Sequence, residues 1–258
     1  APASEPAVWG WTRPALWLIV AVVIIGLIAG YSALAAFVAT WLVAAVVITA
    51  ATILILCLLD AVVAEIAAAN GMAHAVAGDV ADAATHEALV AACAPWGGPD
   101  IAFNNAGTVG ALAPLADQVP GNWDAVIAAN LTAAFLGARA QIPSMLARGK
   151  GALIFTSSFV GNSVGLPGMA CYGAAKAGLL GLVRGITADY GAAGIRANAL
   201  IPGGTDTAMA GDAESKAWAA SLHAMKRIAD PDELARRLQR KRRRARAKAG
   251  VDGKVSIP

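Results

Sequence analysis

From Asp60 onward, short apolar runs alternate with stretches whose apolar positions recur at helical spacing. Ala61–Ala69 reads as helix, stopped by Asn70-Gly71. Ala73–Ala77 reads as a strand running into Gly78-Asp79-Val80, and Ala83–Ala94 as helix. Asp100–Gly107 is a strand ending in a polar turn, and Trp123–Arg148 a long helix bent near Pro143. Ala152–Ser158 is a strand, Cys171–Tyr190 a helix and Ile195–Pro202 a strand. Strands alternating with helices predict an α/β fold, a doubly wound parallel sheet with helices on both faces, in a single domain.

The opening stretch has no such alternation. From Pro14 to Leu59 there are 46 consecutive residues without a charge. One reading is a pair of membrane helices, about Ala15–Phe37 and Trp41–Leu59, each near the ~20 residues that span a bilayer. The other is a buried strand–helix–strand unit, because parallel strands covered on both faces read as continuous Val/Ile/Leu runs. Ile19–Ile25 and Ala44–Thr49 are such runs. Without these strands, 73–77 and 100–104 would present unpaired edges and uncovered apolar faces. The buried reading is therefore preferred, and the membrane reading of 15–59 is its rival.

Composition narrows the class. With 58% hydrophobic and 14% charged residues, disorder is excluded for most of the chain. Cys57, Cys93 and Cys171 are odd in number and widely spaced, which suits buried thiols rather than a disulfide framework. No metal site is expected, since no two cysteines have ligand spacing and His74, His86 and His223 form no cluster. The net charge of +3 hides an imbalance: nine of the 20 Lys+Arg lie between Arg236 and Lys248, leaving 11 basic against 17 acidic residues elsewhere. No aromatic residue interleaves those arginines, so no nucleic-acid role is expected.

Tyr172 and Lys176 stand four apart at the start of a helix, on one face. A phenol titrating near ~10 is a poor acid or base at neutral pH, and a neighbouring ammonium favours its ionised form. Such a pair is a proton-transfer device if something upstream holds a substrate oxygen. Thr156-Ser157-Ser158 ends a strand, as do Asn104-Asn105-Ala106-Gly107 and, further on, Pro202-Gly203-Gly204-Thr205. In an open parallel sheet ligands sit outside the carboxyl ends of the strands, which puts these groups in one row. Asn130 lies on the long helix that can face that row.

Over 60–208 these motifs, in this order and spacing, resemble the short-chain dehydrogenase/reductase family. The resemblance implies an oxidoreductase that moves hydride between NAD or NADP and a small carbonyl or secondary-alcohol substrate. It implies Tyr172 as general acid/base, Lys176 lowering its pKa and holding the nicotinamide ribose, and Ser158 on the substrate oxygen. Ser157 is the substitute, because Ser158 stands 14 positions before Tyr172 where the family usually has about 13. Asn130 supports a proton-relay water. Asp79, Val80, Asn105, Ala106 and Gly107 lie along the cofactor, and Pro202, Gly203 and Thr205 begin the segment that covers the nicotinamide. The Gly-rich phosphate turn matches best at Gly26 and Gly30, with Ser32 in place of the final glycine.

The resulting organisation is an irregular 1–13, a dehydrogenase domain over 14–235 and a divergent basic 236–258. The resemblance also implies a cytoplasmic homo-oligomer. The alternative is a membrane protein with a helical hairpin at 15–59 and a non-catalytic remainder.

Overall fold

The computed structural model describes Pro14, residues 17–21 and residues 32–236. Gly26, Gly30, the irregular 1–13, most of the run Ile19–Ile25 and the basic segment from 237 lie outside the described residues. Where the sequence reading runs one domain over 14–235, the described residues fall into two compact units, divided between Ala75 and Val76.

The first unit is dominated by one helix, α1, Ser32–Ala68, of 37 residues. It overturns the strand expected at Ala44–Thr49, which lies in mid-helix, and residues 17–21 are helical as well. The physical reason is legible afterwards. No Gly or Pro interrupts 32–69, and alanines separate the β-branched pairs. Each Val, Ile or Thr costs a helix only about 0.7 kcal/mol or less relative to Ala. The predicted stop is correct: Asn70 takes a positive φ of 57°, and Gly71 N–H donates to the Ile66 carbonyl at 2.8 Å. Ala73–Ala77 forms no strand.

The second unit is α/β. Strands β1 (Ile101–Asn104), β2 (Gly151–Thr156) and β3 (Ile195–Leu200) form a parallel sheet in the order β1-β2-β3. Ala102 pairs with Leu153, which pairs with Ala197, so these three share one sheet face. After the short helix α2 (Ala83–Ala92), capped by Asp82 accepting from Ala84 N–H, the first crossover runs from β1 to β2. It is a continuous rod: α3 (Pro120–Ile127), a π turn (Ala128–Thr132) and α4 (Ala133–Ala147). The second crossover is α5 (Ala170–Tyr190), and α6 (Ala213–Leu222) follows β3.

Helices α4 and α5 pack on the face that carries Ala102, Leu153 and Ala197. Ala134, Ala138, Ile142 and Met145 of α4 recur at helical spacing and meet Leu153, Phe155, Leu179, Ile186 and Ile195. Met145, Leu153 and Phe155 have no solvent exposure. Burying each such side chain is worth roughly 1.5–3 kcal/mol, so this layer is the main stabiliser of the unit. On the opposite face Ile101 and Phe103 stay 43% and 48% exposed. Among the described residues β1 pairs with β2 alone, so neither 44–49 nor 73–77 supplies a strand beside it.

Candidate active site

Three elements deliver the chemistry to one place. The end of β2 places Thr156, Ser157 and Ser158; the first turns of α5 place Tyr172 and Lys176; the π turn places Asn130. A π turn carries one extra residue per turn, widening the helix locally and freeing carbonyls from the i→i−4 ladder. Here Asn130 Nδ2 donates to Val126 O and to Thr108 O, both at 2.8 Å. The long helix is thus irregular at 128–132, upstream of the bend expected at Pro143, which lies within α4.

Lys176 is only 4% exposed, and its Nζ donates to Thr156 O at 2.8 Å. The same Nζ lies 5.5 Å from the centroid of the Tyr172 ring. Burial lowers the Lys176 ammonium to about 8. Tyr172 is shifted in the opposite sense to the expectation. Burial raises its phenol, and the hydrogen bond with the Ser158 hydroxyl offsets that only in part. Desolvation of the phenolate outweighs that hydrogen bond.

The structure separates the two serines. Ser157 Oγ donates to the Lys176 carbonyl at 2.7 Å and accepts from Asn162 Nδ2 at 2.9 Å, so its hydroxyl ties strand to helix. Ser158 is the one that meets Tyr172, while its Oγ also accepts from Val160 N–H at 3.1 Å. Asn162 holds both in place, its Nδ2 also donating to the Ser158 carbonyl at 2.6 Å.

Gly107 closes the near side. A Cβ at this position would collide with Asn130 Oδ1 and come within 3.2 Å of Lys176 Nζ. Asn130 Oδ1, buried, has no hydrogen-bond partner among the described residues. An acceptor, a buried ammonium and a glycine-lined gap therefore converge between β1 and α5. Asn104 is turned away from this gap. It exchanges two hydrogen bonds with Gln141 of α4, at 3.1 and 3.2 Å.

Residues 202–207 form the far wall. Phe159 N–H donates to Pro202 O at 3.1 Å, and Thr205 Oγ1 donates to Gly203 O at 3.2 Å. Gly204 N–H donates to His223 Nε2 at 2.8 Å, and the His223 ring lies 5.6 Å from that of Phe159. A Cβ on Gly203 would come within 2.8 Å of that ring, and one on Gly204 within 2.9 Å. His223 and Asn162 are the site residues that the sequence reading missed. Both act through turns whose partners are distant in the chain, and neither falls in a motif.

The remaining predicted positions make contacts outside this cluster or at its edge. Asp79 is exposed and its carboxylate accepts from Ala81 N–H at 2.8 Å; Val80 is half-buried and its carbonyl takes the His86 ring at 2.7 Å. Asn105 and Ala106 are exposed at the end of β1, with Asn105 Oδ1 accepting from Thr156 Oγ1 at 2.7 Å. The residues present fit the nicotinamide half of NAD or NADP. Asn130 Oδ1 lacks a partner among the described residues, Lys176 Nζ lies beside the gap, and Gly107 stands where a Cβ would fill it.

A phenol, a hydroxyl and a lysine are thus gathered at the carboxyl ends of parallel strands in an α/β unit. The family model described as short chain dehydrogenase matches residues 21–218, and the chain belongs to that family. Its members are NAD(P)-dependent oxidoreductases of alcohols and carbonyls, with a parallel sheet flanked by helices. The chain is 38% identical over 167 residues to the 2-keto-3-deoxy-L-fuconate dehydrogenase of Xanthomonas campestris pv. campestris, covering 61% of this chain and 54% of that one. It is 39% identical over 179 residues to the 2,5-dichloro-2,5-cyclohexadiene-1,4-diol dehydrogenase of Sphingobium indicum, covering 67% and 71%. A gluconate 5-dehydrogenase from Burkholderia cenocepacia, solved with NADP and tartrate, matches with a TM-score of 0.62 at 31% identity, over 67% of this chain and 69% of that one. The chain therefore spans about half of the first relative and about two thirds of the other two.

Proposed function

We propose that this chain catalyses reversible hydride transfer between NAD or NADP and a small alcohol or its carbonyl counterpart. The observation that carries the reading is the convergence of Tyr172, Ser158, Lys176 and Asn130 on one gap at the strand ends. A nicotinamide held there would accept or supply the hydride. Tyr172 gives its phenolic proton to the carbonyl oxygen in reduction and takes it back from the alcohol in oxidation. Ser158 hydrogen-bonds the same oxygen, holding it against the phenol. Lys176, with an ammonium titrating near 8, favours the phenolate in the charged form and is held by Thr156 O. Asn130 Oδ1 is the fixed acceptor at the inner end of the gap.

Asp79, Val80, Asn105, Ala106 and Gly107 are assigned to the cofactor's length, and Pro202, Gly203 and Thr205 to the nicotinamide side. The Sphingobium relative's name specifies a cyclic secondary diol, which makes cyclic secondary alcohols the first substrate class to assay. A homo-oligomer is proposed as well. Gly173, Ala174 and Ala177 of α5 border an open hollow of about 400 Å³, and Trp123 and Phe135 are exposed on α3 and α4, surfaces that a second copy can cover. The proposed compartment for the 76–235 unit is the cytoplasm.

The test is a titration of the purified chain with NADH and NADPH, followed by oxidation assays on a panel of cyclic secondary alcohols. Saturable binding of either cofactor, with turnover lost in Tyr172→Phe, supports the reading. Absence of binding to both overturns it.

A further inference from the structure

Within the charge-free run at the start of the chain, α1 shows what a segment of this composition is physically suited to. We propose that residues 32–59 of α1 insert into a lipid bilayer. Those 28 residues contain no charge; the first in the helix is Asp60. At 1.5 Å per residue they extend ~42 Å, more than the ~30 Å of a hydrocarbon core.

The apolar surface is not a stripe. Phe37, Trp41, Val43, Val46, Val47, Ile48 and Ile53 are all exposed, Val46 by 68%. At 100° per residue they spread over roughly two thirds of the circumference. The remaining stripe holds Ala45, Thr49 and Thr52. A protein groove would cover one side of such a helix; hydrocarbon covers all of it.

The polar atoms are handled as lipid requires. Thr40 Oγ1 donates to Ala36 O, Thr49 Oγ1 to Ala45 O and Thr52 Oγ1 to Ile48 O, at 2.8, 2.8 and 2.9 Å. Each hydroxyl is thus turned back on its own helix, and the backbone is satisfied within it. The α3–α4 rod is the internal control. It too is long and apolar, but it carries Asp124 and Arg139 and presses a row of small residues onto the sheet.

The experiment is synthesis of the full chain in the presence of phosphatidylcholine vesicles, an alkaline carbonate wash and flotation on a density gradient. The native chain is expected in the floating fraction. Val47→Lys/Ile53→Lys is expected to float at least tenfold less, since each lysine at the centre of a span strongly disfavours insertion. Val47→Leu is expected to float like the native chain. A native chain left at the bottom, dissolved or aggregated, overturns the proposal, including the case in which another part of the chain covers α1. Equal flotation of the lysine variant overturns it as well. Flotation needs neither cofactor nor turnover, so its outcome is independent of the proposed activity.

Discussion

Helices α1 and α4 are both built mainly from apolar residues, Ala and Leu prominent in each, yet their surroundings are opposite. In α4 the apolar positions Ala134, Ala138, Ile142 and Met145 fall on one face and press on the sheet. Its polar residues have assigned partners: Gln141 reaches Asn104, and Arg148 at its cap reaches Gly98 O at 2.6 Å and Asp100. In α1 the apolar positions spread around the axis, and its hydroxyls close on their own helix. The comparison teaches that hydrophobic content does not place a segment. The phase of its polar residues does, because that phase states whether one side or every side must leave water.

The largest expected effect lies at the chemistry that α4 and its neighbours hold up. Tyr172→Phe keeps the ring and removes only the proton carrier, so steady-state turnover should fall by roughly 10²–10⁴ while cofactor binding by fluorescence titration changes little. Next comes the core itself. Met145→Ala should cost the second unit about 2–5 kcal/mol in urea unfolding monitored by Trp fluorescence, because a side chain without exposure leaves a cavity. Val47→Ala on α1 should leave that transition unmoved. A matching loss there would mean that α1 is core after all and would dissolve the contrast.

Lys176→Met should sharpen it further. The folded-state ammonium titrates near 8 against an ordinary value of 10.5, so between those limits the unfolded chain binds the extra proton. Stability therefore rises with pH across that window, and the burial penalty is fully present below 8. The variant should be more stable at pH 7 by roughly 1–2 kcal/mol, lose the alkaline rise and lose turnover. Thermal melts at pH 7 and 10 read both parts.

The smallest effect is at the surface. Glu233 is held down to about 2, first by the hydrogen bond from Arg227 and then by the backbone N–H of Asp230. Its contribution is present above pH 4.5 and lost as pH falls toward 2. Glu233→Gln should therefore lower Tm slightly at neutral pH and leave it unchanged near pH 2.

Much of the second unit was legible because its signals are local. The i,i+4 pair Tyr172 and Lys176 and the strand ends at Asn104 and Thr156 each announce themselves within a few residues, as does the stop at Asn70 in the first unit. The turn at Asp230 is just as local: Asp232 N–H reaches the Asp230 side chain at 2.7 Å, and the Glu233 carboxylate accepts from Asp230 N–H at 3.1 Å. What was misread lacked such punctuation. Val46-Val47-Ile48-Thr49 satisfies a buried strand and an all-round apolar helix equally, and no glycine or proline breaks the tie. The π turn left no mark in the hydrophobic period, since one widened turn shifts the phase only after Asn130. His223 could be found only once residues 204 and 223 had been brought together in space.

The π turn also separates two properties that usually change together. It accommodates one residue more than a regular helix would need between Ile127 and Ala133. Excising Ala129 would let the rod close to ordinary pitch with Val126 on one side and Ala134 on the other still facing as they do now. The scaffold would keep its register while the amide lost its aim. A one-codon deletion, rather than a substitution, is thus the cleanest route to an intact but inert relative.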